Sequence, residues 1–194
     1  MQFQEFFKVE QKFDSRCIQD VHEAVRQEFD RLGLNDRIAP GQTVAVGVGS
    51  RGVHNLPELV RTSVECLKAL SLRPFITPAM GSHGGATAEG QIEILAHLGI
   101  TEAAMGAPIK ASMDVVSLGR IDAGPEVFIA KDVLAADHIM VINRIKPHTL
   151  FTSKVESGLC KMVGIGLGRQ AGASNLHQYD LAKVIVPAGR LILA

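Results

Sequence analysis

The residues best suited to chemistry are three histidines and a lysine, most of them set among glycines or beside a proline. His83 stands in Met80-Gly81-Ser82-His83-Gly84-Gly85, where the glycines let backbone approach a ligand and leave an imidazole unshielded. Such a ring can serve as a general acid/base or be a loop histidine bonded to backbone. His148 follows Lys146-Pro147, and the fixed proline φ would hold its ring in a defined direction. The same two roles are open to it. Lys161 is a single lysine within the largely apolar, glycine-containing stretch Gly158-Leu159-Cys160-Lys161-Met162. A partly buried amine can be a nucleophile or a covalent anchor, and a lysine snorkelling from a helix surface is the plainer alternative. His177 has no partner at HExxH or CxxC spacing, so it could complete a metal site only if another molecule supplied the remaining ligands. Gly164-Ile165-Gly166-Leu167-Gly168 has the glycine content of a phosphate-cradling loop but neither Gly-Lys-Ser/Thr nor the full GxGxxG context.

These side chains need elements to place them. Ile18, Val21, Val25, Phe29 and Leu32 recur at helical spacing, with Asp14 and Ser15 as candidate caps and Gly33 as the stop. Thr43 to Val48 is a β-branched run that opens into Gly49-Ser50-Arg51-Gly52. Asn55 can cap a helix with Pro57 in its first turn and Val60, Val64, Leu67 and Leu70 on one face. Pro74 to Ala79 reads as the strand leading into the His83 loop, and Thr87 can cap a third helix that ends at Gly99. Val127 to Ala130 and His138 to Ile142 read as further strands. Asn143 to Thr149 is a loop because Pro147 forbids regular structure there. Leu159 to Ile165 is compatible with helix or extended chain. Alternating strands and helices predict a largely parallel, Rossmann-like α/β sheet with helices on both faces. Ligands of such sheets bind beyond the carboxyl ends of the strands, so the loops Gly49 to Gly52, Met80 to Gly85 and Asn143 to Thr149 are the expected site.

Composition narrows the class. The 194 residues are 46% hydrophobic and 21% charged, as expected of one globular domain, or one plus an extension. Twenty basic residues balance 20 acidic ones without blocks of either sign, which argues against nucleic acid or an anionic membrane as partner. Cys17, Cys66 and Cys160 fit neither a disulfide framework nor a CxxC site. The N-terminus lacks the basic start and apolar run of a secretory signal, and no apolar stretch approaches about 18 residues. A cytoplasmic location follows by elimination. Val184 to Ala194 reads as a connector leading to a further domain.

As an ordered set, Asn143-Arg144-Ile145-Lys146-Pro147-His148-Thr149, Glu156-Ser157-Gly158-Leu159-Cys160-Lys161-Met162 and Gly172-Ala173 leading to His177 resemble the nickel-dependent lactate racemase family. Gly81-Ser82-His83 and Ser50-Arg51 fall where that family has two further site loops. The resemblance implies that residues 1–194 are the cofactor-binding and catalytic N-terminal domain of a two-domain enzyme, with 184–194 as the connector. It implies nickel held by a pincer nucleotide, a pyridinium-derived mononucleotide joined covalently to Lys161 through a thioamide, with His177 as the protein ligand to the metal. Ser50 and Gly158 would border the cofactor, Arg51 would bind substrate, and His83 and His148 would be the acid/bases. The implied activity is racemisation or epimerisation of a lactate-like 2-hydroxy acid, and the implied partners are that substrate and cofactor-synthesis proteins. Homo-oligomerisation is left open. A non-catalytic nucleotide or hydroxy-acid binding module on the same fold is the alternative. A nicotinamide-dependent dehydrogenase is disfavoured because no acidic residue follows the glycines at the expected spacing of about 20 residues.

Overall fold

The computed structural model describes residues 7–13, 17–122, 124–148 and 151–194. Its centre is a three-stranded parallel sheet in the order β2-β1-β5, made by β1 (Thr43–Val48), β2 (Arg73–Pro78) and β5 (His138–Ile142). β1 pairs with both neighbours without a register shift, Val44 facing Pro74 on one side and His138 on the other. Five of its six residues are buried, which is why TVAVGV reads as a continuous apolar run instead of alternating. The chain leaves β1 for β2 on one side and returns much later as β5 on the other. The crevice between diverging loops, where such sheets bind ligands, therefore lies above β1.

One face of the sheet packs Val44, Val46, Val48 and Ile76 against α2 (Leu56–Ala69) and α3 (Ala88–His97), and Met105 of α4 (Glu102–Met105) joins this core. The other face packs Ala45 and Phe75 against β4 (Glu126–Ala130), Val133 of α5 (Lys131–Leu134), and Val163 in a π-helical turn over Met162–Gly166. That turn follows α6 (Leu159–Lys161) and leads to α7 (Arg169–Leu176) and α8 (Leu181–Ile192). Their apolar residues Ala173, Leu176, Val184, Ile185 and Ala188 form a third cluster with Val127 and Ile165. Both sheet faces are thus covered, as the α/β reading requires.

Several local expectations need correction. Helix α1 spans Val21–Leu32, capped by Asp20, whose carboxylate accepts from Glu23 N at 2.8 Å. Ile18 therefore lies outside the helix, and Asp14 and Ser15 lie outside the described residues. Asn55 precedes α2 with φ 56° and makes no side-chain cap bond. Thr87 does cap α3, accepting from Gly90 N at 3.1 Å. The strand at residues 126–130 has an antiparallel partner that the sequence pattern missed, β3 (Val115–Arg120). A register irregularity between Ser117 and Arg120 breaks its alternation. Residues 184–192 are the body of α8, with Val184, Ile185 and Ala188 buried and Asp180 capping at Ala182 N. Pro187 sits inside that helix, where it costs a backbone bond while the apolar face of α8 packs against the π turn. Among the described residues no helix is long and apolar enough to cross a membrane.

Candidate active site

The three strand-end loops and the segment from α6 to α7 enclose a cleft of about 520 Å³. Ser50, Arg51, His83, His148, Gly158, Lys161 and His177 all line it. Every site residue expected from the sequence is therefore brought to one place, although they span more than 120 positions of chain.

The loop after β1 carries Ser50 and Arg51. Ser50 Oγ and His83 Nδ1 are 2.5 Å apart, so two loops are joined by one hydrogen bond. A serine hydroxyl can donate to that nitrogen or accept from it. The far nitrogen of His83 can thus be base or acid while the ring stays in place. The loop after β2 is fixed from below: Gly81 N donates to Gly166 O at 3.1 Å, and the buried Gln91 amide donates to Gly81 O at 2.8 Å and His83 O at 3.2 Å. Gly84 at φ 65° lies so close to Gly90 that a Cβ at either position would enter the other's backbone. His83 is an exposed residue at the cleft mouth, yet partial burial of its ring holds its pKa below the ordinary imidazole value, and the charges of Arg51 and Lys161 push the same way.

The loop after β5 places His148, while Thr149 lies outside the described residues. Glu156 holds this loop by accepting from His148 N at 2.8 Å and Ser153 N at 3.0 Å. Those two donors keep its carboxyl below the usual carboxylate range. The Phe151 ring lies 4.3 Å from the His148 ring, tilted by 31°. Lys161 Nζ donates to His148 Nε2 at 2.8 Å. Burial depresses the proton affinity of both groups; Lys161 and Lys146 add to the effect on His148, and Lys146 and Arg51 to that on Lys161.

His177 follows α7, and its Nδ1 lies 2.6 Å from Ala173 O. A carbonyl only accepts, so Nδ1 carries a proton; in the neutral ring Nε2 then keeps its lone pair, the form in which imidazole binds a metal. Among the described residues no three His, Cys, Asp or Glu side chains cluster to hold a metal ion. A metal at His177 would take its other ligands from a bound molecule, which suits a nucleotide carrying its own donor atoms. Arg51, Arg144, Lys146 and Lys161 line the cleft and, among the described residues, no carboxylate does, so the cleft favours anions.

Three contributors escaped the sequence reading. Glu156 and Gln91 act on backbone of the site loops, and nothing in their local pattern signals that. Arg169 is fully buried and donates to Ser112 O at 3.0 Å, to Thr77 Oγ1 at 2.7 Å and to Pro78 O. It ties the end of β2 to the turn beneath the cleft. Burial lowers its pKa to about 10, still high enough to keep it charged near neutrality. A charged residue directly after Gly168, at the first position of α7, is the signal that could have found it. Gly164 and Gly166 do not form a phosphate loop: both are buried, Gly164 against α8 and Gly166 against the backbone of Ala79. The model of a known family, described as lactate racemase N-terminal domain, matches residues 10–184. No curated protein matches the chain.

Proposed function

Because the chain belongs to the lactate racemase N-terminal domain family, we propose that it is the cofactor-bearing catalytic domain of a 2-hydroxy-acid racemase or epimerase. The observation that carries this reading is convergence: two loop imidazoles, a half-buried lysine amine and a histidine bonded to backbone through Nδ1 share one cleft that, among the described residues, no carboxylate lines. The Cα–H of a 2-hydroxy acid is a very poor acid, and histidine acid/base catalysis contributes only about 10² to 10⁴-fold. Abstraction of that hydrogen as a proton is therefore not the route this cleft favours. When bound, a nickel-pincer nucleotide attached at Lys161 with His177 as metal ligand supplies a hydride acceptor, with Ser50 and Gly158 at its border.

The residues of the chain then have separate tasks. Arg51 grips the substrate carboxylate through paired N–H donors. His83 takes the hydroxyl proton of one antipode, and His148 takes that of the other. The 2-keto acid formed is planar at its carbonyl carbon, so either configuration can be restored. Burial, the largest cause of the lowered proton affinity of each ring, favours the neutral form a base needs. Substrate, cofactor-synthesis proteins and, if copies associate, further copies of the chain are the proposed partners. The proposed location is the cytoplasm. The test is to produce the protein alongside cofactor-synthesis enzymes, then measure nickel content and intact mass. A mass increment on Lys161 with bound nickel, and interconversion of lactate antipodes once the family's C-terminal domain is supplied, are expected. No increment and no nickel would overturn the reading. A binding module without catalysis predicts instead that His83→Ala and His148→Ala leave ligand affinity unchanged and that no form racemises.

A further inference from the structure

Lys161 and His148 are joined before any ligand arrives, and racemisation does not use them as a pair. Nζ donates to Nε2 at 2.8 Å. The two come from different elements, the loop after β5 and helix α6, so the contact is tertiary and not an accident of neighbouring sequence. A lysine already converted to an amide cannot offer a charged amine donor, so this contact belongs to the unattached chain. We propose that His148 is the general base by which the chain acylates its own Lys161 with the acyl group of a pyridine-type mononucleotide. This rests on reading Lys161 as the cofactor tether, and it adds the group that catalyses attachment.

The chemistry balances without an oxidant or reductant. The neutral amine of Lys161 attacks the acyl carbon and a C–N bond forms. The adduct nitrogen then carries one proton too many, which passes to His148 Nε2. Collapse of the adduct breaks the bond from the acyl carbon to its leaving group X, and the imidazolium returns the proton to X. Acyl–X and amine thus become acyl–NH–lysine and HX, and a thioacyl group gives the thioamide by the same steps.

Three features prepare the pair. His148 is anchored through its own backbone N–H to Glu156 and lies against Phe151, so its ring is placed in advance. Among the described residues no carboxylate lines the cleft to hold Lys161 as an ion-paired ammonium. Burial, with the charges of Lys146 and Arg51, raises the neutral fraction of the amine. The same cationic lining attracts an anionic nucleotide.

The experiment uses cofactor-free protein and the nicotinoyl thioester of N-acetylcysteamine near neutral pH. Hydroxylamine then strips thioesters from cysteines, and peptide mass spectrometry counts the amides. Lys161 is expected to react at least about 10-fold faster than the exposed Lys183, and His148→Ala is expected to slow Lys161 by roughly 10²-fold, with free imidazole restoring part of the rate. His148→Gln, which can still accept from Nζ but cannot take a proton, decides the matter if the alanine variant does not fold. Reaction of Lys161 no faster than Lys183, or a loss within about twofold in the folded variant, would overturn the proposal. Absence of nickel or of the nucleotide from expressed protein would strike the preceding reading and leave these rates untouched.

Discussion

Two glycines of one turn should respond to the same substitution in opposite ways. A Cβ on Gly166 would lie 2.5 Å from Ala79 O, 2.7 Å from its carbonyl carbon and 3.3 Å from its Cα. All three are backbone atoms at the end of β2 and cannot rotate aside. An ordinary carbon-to-oxygen approach is about 3.3 Å or more, so the turn must move by most of an ångström. Overpacking of this kind costs about 1–3 kcal/mol, and loss of the Gly81 N to Gly166 O bond adds about 1 kcal/mol. Replacing glycine by alanine in helical backbone returns up to about 1 kcal/mol, leaving a net loss of about 1–4 kcal/mol. At Gly164 the nearest atoms are Ala188 Cβ at 3.4 Å, Ile185 O at 3.4 Å and Gly189 N at 3.5 Å, which is ordinary contact. Gly164→Ala should therefore be neutral or slightly stabilising. At about 2–4 °C per kcal/mol for a chain of this size, a 2 kcal/mol loss in Gly166→Ala lowers Tm by roughly 4–8 °C. Thermal and urea unfolding followed by circular dichroism measure both variants. Equal stability within about 0.5 kcal/mol would refute the claim that this turn is locked against the end of β2.

Arg169→Met strands the carbonyls of Ser112 and Pro78 that the guanidinium now satisfies. Bonds from a charged donor contribute about 1.5–3 kcal/mol each, so a loss of at least 3 kcal/mol is expected in urea titrations. Asp137 accepts from Thr43 N and Thr43 Oγ1, both at 2.7 Å, and these bonds hold its pKa below 3.8 in the fold. Its contribution is present above 3.8 and disappears as pH falls through that value toward the folded pKa. Asp137→Asn should flatten this part of the acid-unfolding curve, read as urea midpoints across the range. The charge of Lys161 is one cause of the lowered pKa of His83 and of His148. Nicotinoylation of Lys161 in cofactor-free protein should therefore move both imidazole titrations up, and NMR titration of the acylated and unacylated protein checks it.

The parallel core was legible because β1 is buried on both faces and its apolar run has no polar interruption. The site loops were legible because a strand followed by glycines has few other outcomes. β3 was not legible, since its irregular pairing and Gly119 at φ 99° remove the period-two pattern that marks a strand. The glycines at 164 and 166 were weak evidence for a related reason: spacing alone does not separate glycine that admits a phosphate from glycine that admits another backbone. Only the closeness of Ala79 and α8 makes that distinction. Pairings such as Ser50 with His83, and Lys161 with His148, join residues 33 and 13 positions apart. No periodicity encodes them, because they follow from where the strand ends lie.

One lysine charge acts on both candidate bases. Lys161 lowers the proton affinity of His83 and of His148, although they reach the cleft from different loops. Converting its amine to an amide removes that charge, and with it a cause common to both depressions. The two rings would then hold protons more readily and take them up more readily from a hydroxyl group. In the proposed attachment, the low basicity of His148 suits brief custody of a proton between amine and leaving group. A gain of basicity at both rings after acylation would suit the proposed transfer from substrate on either side. A single acylation would thereby end the chemistry that needs Lys161 as an amine and tune the histidines for the chemistry that follows.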